Sequence, residues 1–455
     1  MTIVKKYEID MSKGSVFKNM ILFSVPLILS SVLQLLFNAA DVVIVGRFDG
    51  EIALAAVGST TSLINLLINV FMGYATGASV VVSRYFGAGN KENTHRAVNT
   101  CITMSLIFGV VVLIIGGLFA KPLLELMNNP PEVIDSAALY LKIYFIGMPA
   151  FMLYNFGSGV LRAVGDTRRP LFYLSIAGVI NVVLNLFFVA VMGWGVAGVA
   201  LATTISQCIS AGMVMKCLIK TNESYRFDVK KLGIGKNEFV MMTKIGLPAG
   251  IQGSLFNISN VTIQSVINGF GAVAVAGNAA ASNIEGFVYV VVMAMNQAAL
   301  TFTSQNYGAR KLDRIKKGMF AGIGIQLVAT LVLGAVTFFF GAQLAGLFTE
   351  DAEVISCAVT RLAIISTTYF VCGFNEVFVG TLRGIGCSLS PMITSIFGIC
   401  VLRLLYIATI FKAFYSLESL YLTYPISWII TGAINGIILI IMWKKLIKDK
   451  ACPQS

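Results

Sequence analysis

Few side chains in the apolar stretches of this chain can do acid–base or ion-binding work, and those few are patterned. Asp41 sits in NAADVVIVG, six residues before Arg47. Gln34, Asn38 and Asp41 follow i, i+4, i+7 spacing, which puts them on one helical face. A charge inside a membrane helix costs at least about 2.5–3.5 kcal/mol, so a carboxylate there reads as a group that titrates or binds a cation. Asn181 and Asn185 stand at i, i+4, and Thr203 and Thr204 follow on the next apolar run. At about 1.5 Å of rise per residue, Asp41, Asn185 and Thr203 share one depth in the outer half of a bilayer. Their amides and hydroxyls suit a cation or a protonated acid. Each alone suits an ordinary interhelical hydrogen bond equally well. Farther along, Asn257, Asn260 and Gln264 repeat the polar stripe without an acid. Glu285 and Glu376 are the other acids inside apolar runs, and Arg403 lies at a depth near that of Glu285. A buried Glu285–Arg403 pair is expected. Glu376 has no basic partner at its depth, which makes it the second candidate for titration or cation contact.

The elements that position these groups are membrane helices. Hydrophobic residues make up 57% of the 455 and charged residues 12%, against about 25% charged in soluble domains. Apolar stretches long enough to cross a core of about 30 Å recur along the chain. Twelve spans are predicted, at 18–46, 52–82, 95–119, 137–160, 169–191, 194–216, 243–267, 272–302, 318–347, 355–381, 389–413 and 419–443. The chain also repeats itself. LRAVGDTRRP at 161 returns as LRGIGCSLSP at 382, and SRYFGAGN at 83 returns as SQNYGARK at 304, both at an offset of 221. A duplicated membrane domain follows: an all-α protein of two six-helix bundles, 1–217 and 243–455, joined by a cytoplasmic linker at 218–242. Six spans per repeat is an even number, so the halves are related by a pseudo-two-fold axis along the membrane normal, with the binding site near their interface. Pro26 and Pro248 fall early in the first and seventh helices, where each can kink its helix.

Charge placement orients the whole. Of the 33 basic residues, 27 fall on the side of the N-terminus, the other six being Arg47, Lys121, Lys142, Arg361, Arg403 and Lys412. Both termini are therefore expected in the cytoplasm, with the protein multi-pass in the plasma membrane. The net charge of +12 comes from residues at helix ends, which argues against a nucleic-acid partner. One histidine, His95, and eight cysteines without a C-x-x-C pair leave little basis for a metal centre or for His-based catalysis. The chain contains no Walker A sequence. No enzymatic activity and no cofactor are expected.

The two six-helix halves, NAADVVIVG, SRYFGAGN with its echo SQNYGARK, LRAVGDTRRP and NVVLNLFFV together resemble the multidrug and toxic compound extrusion (MATE) family. The resemblance covers essentially the whole chain. It implies exchange of external H+ or Na+ for a cytoplasmic drug-like compound, often a lipophilic organic cation, by a V-shaped pair of bundles acting as a monomer. Residue by residue, Asp41 matches the coupling acid of the N-terminal lobe, Asn181 the amide beside it, and Thr203 or Thr204 the hydroxyl of the sixth helix. Asn185 departs from the pattern, since many members carry Asp there. Glu376 resembles the tenth-helix acid linked to cation coupling in some members, so Asp41 and Glu376 are the candidate Na+ positions. A lone carboxylate among amides suits H+ better than Na+, which needs several oxygen ligands and compensating charge. The rival reading is a flippase of lipid-linked precursors from the same superfamily. Such a protein moves anionic headgroups and should line its cavity with Arg and Lys.

Overall fold

The computed structural model describes residues 7–127 and 130–451; Lys5 and Lys6, counted above, lie outside them. The described residues are helical and connecting segments, with no strand among them. In chain order the helices are α1 (Val16–Phe48), α2 (Gly50–Gly87), α3 (Lys91–Leu126) and α4 (Pro131–Ile146, resuming at Met148–Ala163). Next come α5 (Arg168–Asn185, running into a wide turn at Leu186–Val191), α6 (Gly195–Lys220), α7 (Lys236–Asn268) and α8 (Ala272–Gly308). The last four are α9 (Leu312–Phe339), α10 (Ala352–Gly384), α11 (four pieces between Leu389 and Ala413) and α12 (Leu417–Ala451).

Nine helices among the described residues are long and apolar enough to span a membrane, or eleven when two bent segments each count as one. The α4 pair bends by 50° at Gly147. That break precedes Pro149, whose ring removes a backbone donor and crowds the preceding turn. Helix α7 is 33 residues long but is not in that set. It carries the polar stripe Asn257, Asn260 and Gln264 expected from the sequence, and Gln252 besides.

The chain forms two compact units. The first comprises the described residues up to Met11 with Val25–Gly250, the second Ser12–Ser24 with Ile251 onward. The divisions fall inside α1 and α7, within two residues of Pro26 and Pro248.

The duplication is visible in the hydrogen bonds of each unit. In the first, Ser83 Oγ donates to the Ala163 carbonyl at 3.1 Å. In the second, Ser304 Oγ donates to the Gly384 carbonyl at 3.3 Å, each partner 221 residues farther on. Asp166 N to Leu161 O at 2.9 Å recurs as Cys387 N to Leu382 O at 2.8 Å. Gly165 and Gly386 close these turns at φ +89° and +93°, a region that glycine enters without a Cβ penalty.

Inside the first unit the linker is tied down. Asp228 N donates to Asn99 Oδ1 at 3.1 Å, and Gly235 N to Thr100 Oγ1 at 3.0 Å. Tyr225 donates to Glu8 at 2.5 Å, and Arg169 pairs with Asp166 at 2.6 Å and reaches Glu8 at 3.7 Å. Burial pushes the Glu8 and Asp166 carboxyls above the usual carboxylate range, against the hydrogen bonds and the Arg169 charge.

Candidate ion and substrate cavities

In the first unit, α1, α4, α5 and α6 enclose a cavity of about 150 Å³. Gln34, Asn38, Asp41, Asn181 and Thr203 all line it. Asn185, fully buried, donates through Nδ2 to Asp41 Oδ1 at 2.5 Å and to Asn181 Oδ1 at 3.3 Å. Asn181 Nδ2 in turn donates to Thr203 Oγ1 at 3.4 Å. The residues predicted from helical spacing therefore form one relay, Thr203–Asn181–Asn185–Asp41, carried by three helices. Thr204 does not join it; its hydroxyl donates to the Ile143 carbonyl at 3.1 Å and braces α6 against α4.

Local sequence explains the placement. Gly178 shares its face of α5 with Asn181 and Asn185, and a Cβ there would stand 1.8 Å from the Phe37 ring. Its absence lets Phe37 close the floor of the cavity directly against the α5 backbone. The wide turn Leu186–Val191 begins immediately after Asn185, the kind of helix irregularity that recurs at functional positions. Tyr154, Asn155, Ser206 and Gln207 also line the wall and were not anticipated from the sequence. The arrangement offers one carboxylate facing the cavity and a chain of amide and hydroxyl groups behind it. Such a group can hold and release a proton or meet a cationic ligand.

In the second unit a cavity of about 280 Å³ is lined by Asn260, Gln264, Asn278, Glu285 and Arg361, with aromatic walls including Tyr424 and Trp428. The expected Glu285–Arg403 pair is not there. Glu285 is gripped instead by Arg361, at 3.0 Å from Nε to Oε1 and 2.7 Å from Nη2 to Oε2. A further Arg361 donor meets Asn278 Oδ1. Asn278 and Glu285 are seven residues apart on one face of α8, which presents both acceptors to one guanidinium. Arg361 lies nine residues inside α10 and is 6% exposed. Reading it as a helix-end charge is therefore corrected. Arg361 and Arg403 are both buried within helices of the second unit.

Arg403 does not line this cavity. It donates to Ser427 Oγ at 3.1 Å and Asn260 Oδ1 at 3.4 Å, with its guanidinium 4.4 Å from the Tyr424 ring centroid. Glu376 stays outside the cavity lining. It accepts from Asn296 at 2.8 Å and from Asn375 at 3.4 Å. Asn257 is exposed and does not line the cavity.

A model of the MatE family matches residues 26–187 and 248–409, two stretches that begin 222 residues apart. The probable multidrug resistance protein YoeA of Bacillus subtilis (strain 168) is 32% identical over 395 residues, 85% of each chain. A second protein of that strain, the probable multidrug resistance protein YpnP, is 27% identical over 87% of this chain and 88% of its own. A solved structure described as MATE in the bent conformation aligns at a TM-score of 0.90 over 97% of this chain and 98% of that one. Its identity is 23%, so it speaks for the fold. With both repeats matched and a relative 32% identical over most of its length, the chain belongs to the MATE family of membrane transporters.

Proposed function

We propose that this protein is a proton-coupled antiporter that exports lipophilic, often cationic, drug-like compounds from the cytoplasm by alternating access. It works as a monomer in the plasma membrane, with both termini cytoplasmic. It needs no cofactor and performs no covalent chemistry. The reading is supported by the names of relatives such as YoeA, and its coupling step rests on one observation, the Asp41–Asn185–Asn181–Thr203 relay at a cavity wall. Asp41 takes a proton from outside when the cavity is open to that side and releases it inward. Loss of charge weakens its hold on a cationic cargo and removes the cost of enclosing a carboxylate in an apolar setting. A single carboxylate with amide neighbours supplies too little negative charge for a built Na+ site, which favours H+.

The test is transport of ethidium into or out of proteoliposomes under a proton gradient in sodium-free buffer, and under a sodium gradient at constant pH. Proton-driven transport that disappears in Asp41→Asn, with protein abundance unchanged, supports the reading. Transport driven only by sodium and lost in Glu376→Gln overturns the proton assignment. Movement of an undecaprenyl lipid in the same vesicles, without ethidium transport, replaces the exporter with a flippase.

A further inference from the structure

Another cavity of the first unit, of about 680 Å³, lies where α5 begins and α6 ends. It shares no lining residue with the Asp41 cavity. Arg168–Val191 and Gly195–Lys220 are both long and apolar enough to span a membrane. Their adjoining ends therefore stand where hydrocarbon gives way to headgroups. The lining is of two kinds. Arg168 and Arg169 come from the first turn of α5, and Lys216 and Lys220 stand at i, i+4 in the closing turns of α6. One turn along α5 from the arginines, Phe172 and Tyr173 add aromatic wall, and Tyr7 adds more from the segment before α1.

The four cations are not equivalent. Arg169 is committed inside the protein: it pairs with Asp166, reaches Glu8 and holds its guanidinium 5.8 Å from the Tyr7 ring centroid. Arg168, Lys216 and Lys220 are exposed and form no ion pair among the described residues. The backbone donors that open α5 are also taken, since Arg168 N and Arg169 N both donate to Asp166 Oδ1 at 3.1 Å. The helix end itself therefore has little to offer an anion, and the attraction comes from the three side chains. Beside them Phe172 is 62% exposed. A small soluble anion would use the cations and leave the aromatic wall idle. A hydrocarbon chain would do the reverse. A lipid with an anionic headgroup uses both, and basic pockets at helix ends on the cytoplasmic side of a membrane suit such headgroups.

We propose that this cavity binds an anionic phospholipid of the adjoining leaflet, with Arg168, Lys216 and Lys220 holding the headgroup phosphate and Phe172 and Tyr173 receiving the upper acyl chains. The site does not depend on the export reading, because it is measured as equilibrium binding with no gradient imposed. Under the topology proposed above the leaflet is the cytoplasmic one. Detergent micelles have no sides, so an error in that topology leaves the binding test untouched.

The experiment is native mass spectrometry of the full-length protein in detergent, titrated with dioleoyl phosphatidylglycerol or with dioleoyl phosphatidylcholine, whose chains are the same and whose phosphate is neutralised by choline. The first phosphatidylglycerol should bind at least about tenfold more tightly than the first phosphatidylcholine, a modest return on three basic side chains. A variant combining Arg168→Gln, Lys216→Gln and Lys220→Gln should lose about tenfold or more in affinity for phosphatidylglycerol and keep its affinity for phosphatidylcholine. All three side chains are exposed, so the fold should tolerate their replacement. Taking the same charge from the linker, with Lys230→Gln, Lys231→Gln and Lys236→Gln, should leave phosphatidylglycerol binding unchanged. Equal affinity for the two lipids in the unaltered protein overturns the proposal without recourse to any variant. So does an equal loss in both triple variants, which is the outcome of diffuse surface charge. Displacement of phosphatidylglycerol by glycerol phosphate at equal concentration assigns the cavity to a soluble phosphate and overturns the lipid as its ligand.

Discussion

Replacing Arg361 by glutamine should be among the most destabilising single changes available in the second unit. Arg361 and Glu285 are 6% and 3% exposed. The guanidinium satisfies both carboxylate oxygens and the Asn278 amide oxygen. It also stands 5.6 and 5.5 Å from the Tyr421 and Tyr424 ring centroids. Removing it leaves a buried carboxylate with no compensating charge, a loss of about 3–5 kcal/mol. At about 1.4 kcal/mol per factor of ten, the folded-to-unfolded ratio falls by roughly two to four powers of ten. Glu285→Gln alone leaves the buried guanidinium without a counter-charge and should cost a comparable amount. Replacing both residues removes both buried charges, so the double variant should be more stable than the sum of the singles by about 0.5–3 kcal/mol. Equilibrium unfolding in mixed micelles measures each variant. A second cycle pairs Glu285→Gln with Arg403→Gln, which share no hydrogen bond, and should be additive to within about 0.3–0.5 kcal/mol. Additivity in the first cycle, or coupling in the second, would refute the assignment of Arg361 as the partner of Glu285.

Single cysteines at Asp49 and Lys230, introduced one at a time, should react with a membrane-impermeant maleimide from opposite faces of intact cells, Asp49 from outside; labelling of both from one face contradicts the topology. The raised carboxyl of Glu8 gives a pH signature in the segment that precedes α1. Burial makes the folded protein bind this proton more tightly than the unfolded chain does. That contribution is full below the ordinary carboxylate pKa and fades as pH rises through the raised value. Glu8→Gln cannot ionise and keeps an acceptor for Tyr225, so its thermal stability relative to the unaltered protein should climb as pH rises from the ordinary carboxylate range through the raised value. A constant difference across that range would show that Glu8 does not titrate there.

What could be read from the sequence is what depends on position along a helix. Spacing put Gln34, Asn38 and Asp41 on one face, and counting residues from the helix ends put Asn185 and Thr203 at the same depth. The structure joins these into one cavity and one relay. Rotation about the helix axis was not legible. Thr203 and Thr204 are adjacent and equally deep, yet one faces Asn181 and the other the Ile143 carbonyl. Arg361 and Arg403 raised the same difficulty. Depth favoured Arg403 as the partner of Glu285, whereas the azimuth of Asn278 and Glu285 on α8 selects Arg361.

The repeat carries the information that depth alone lacks. Its framework is held in both units by the same bonds, Ser83 to Ala163 and Ser304 to Gly384, so a residue and its counterpart occupy equivalent places in their own unit. Applied to the first cavity, the offset of 221 points from Thr203 and Gln207 to Tyr424 and Trp428, and the offset of 222 from Asn38 to Asn260. It also separates what duplication preserved from what changed. The turns and their glycines persist, because backbone at φ near +90° tolerates little else. The cavity walls do not: at the offset of 222 that relates the starts of the two matched stretches, Asp41 gives way to Ile263. The acid of the first cavity has an apolar counterpart, so the cost of a charge embedded in the membrane falls at this position in one unit and not in the other.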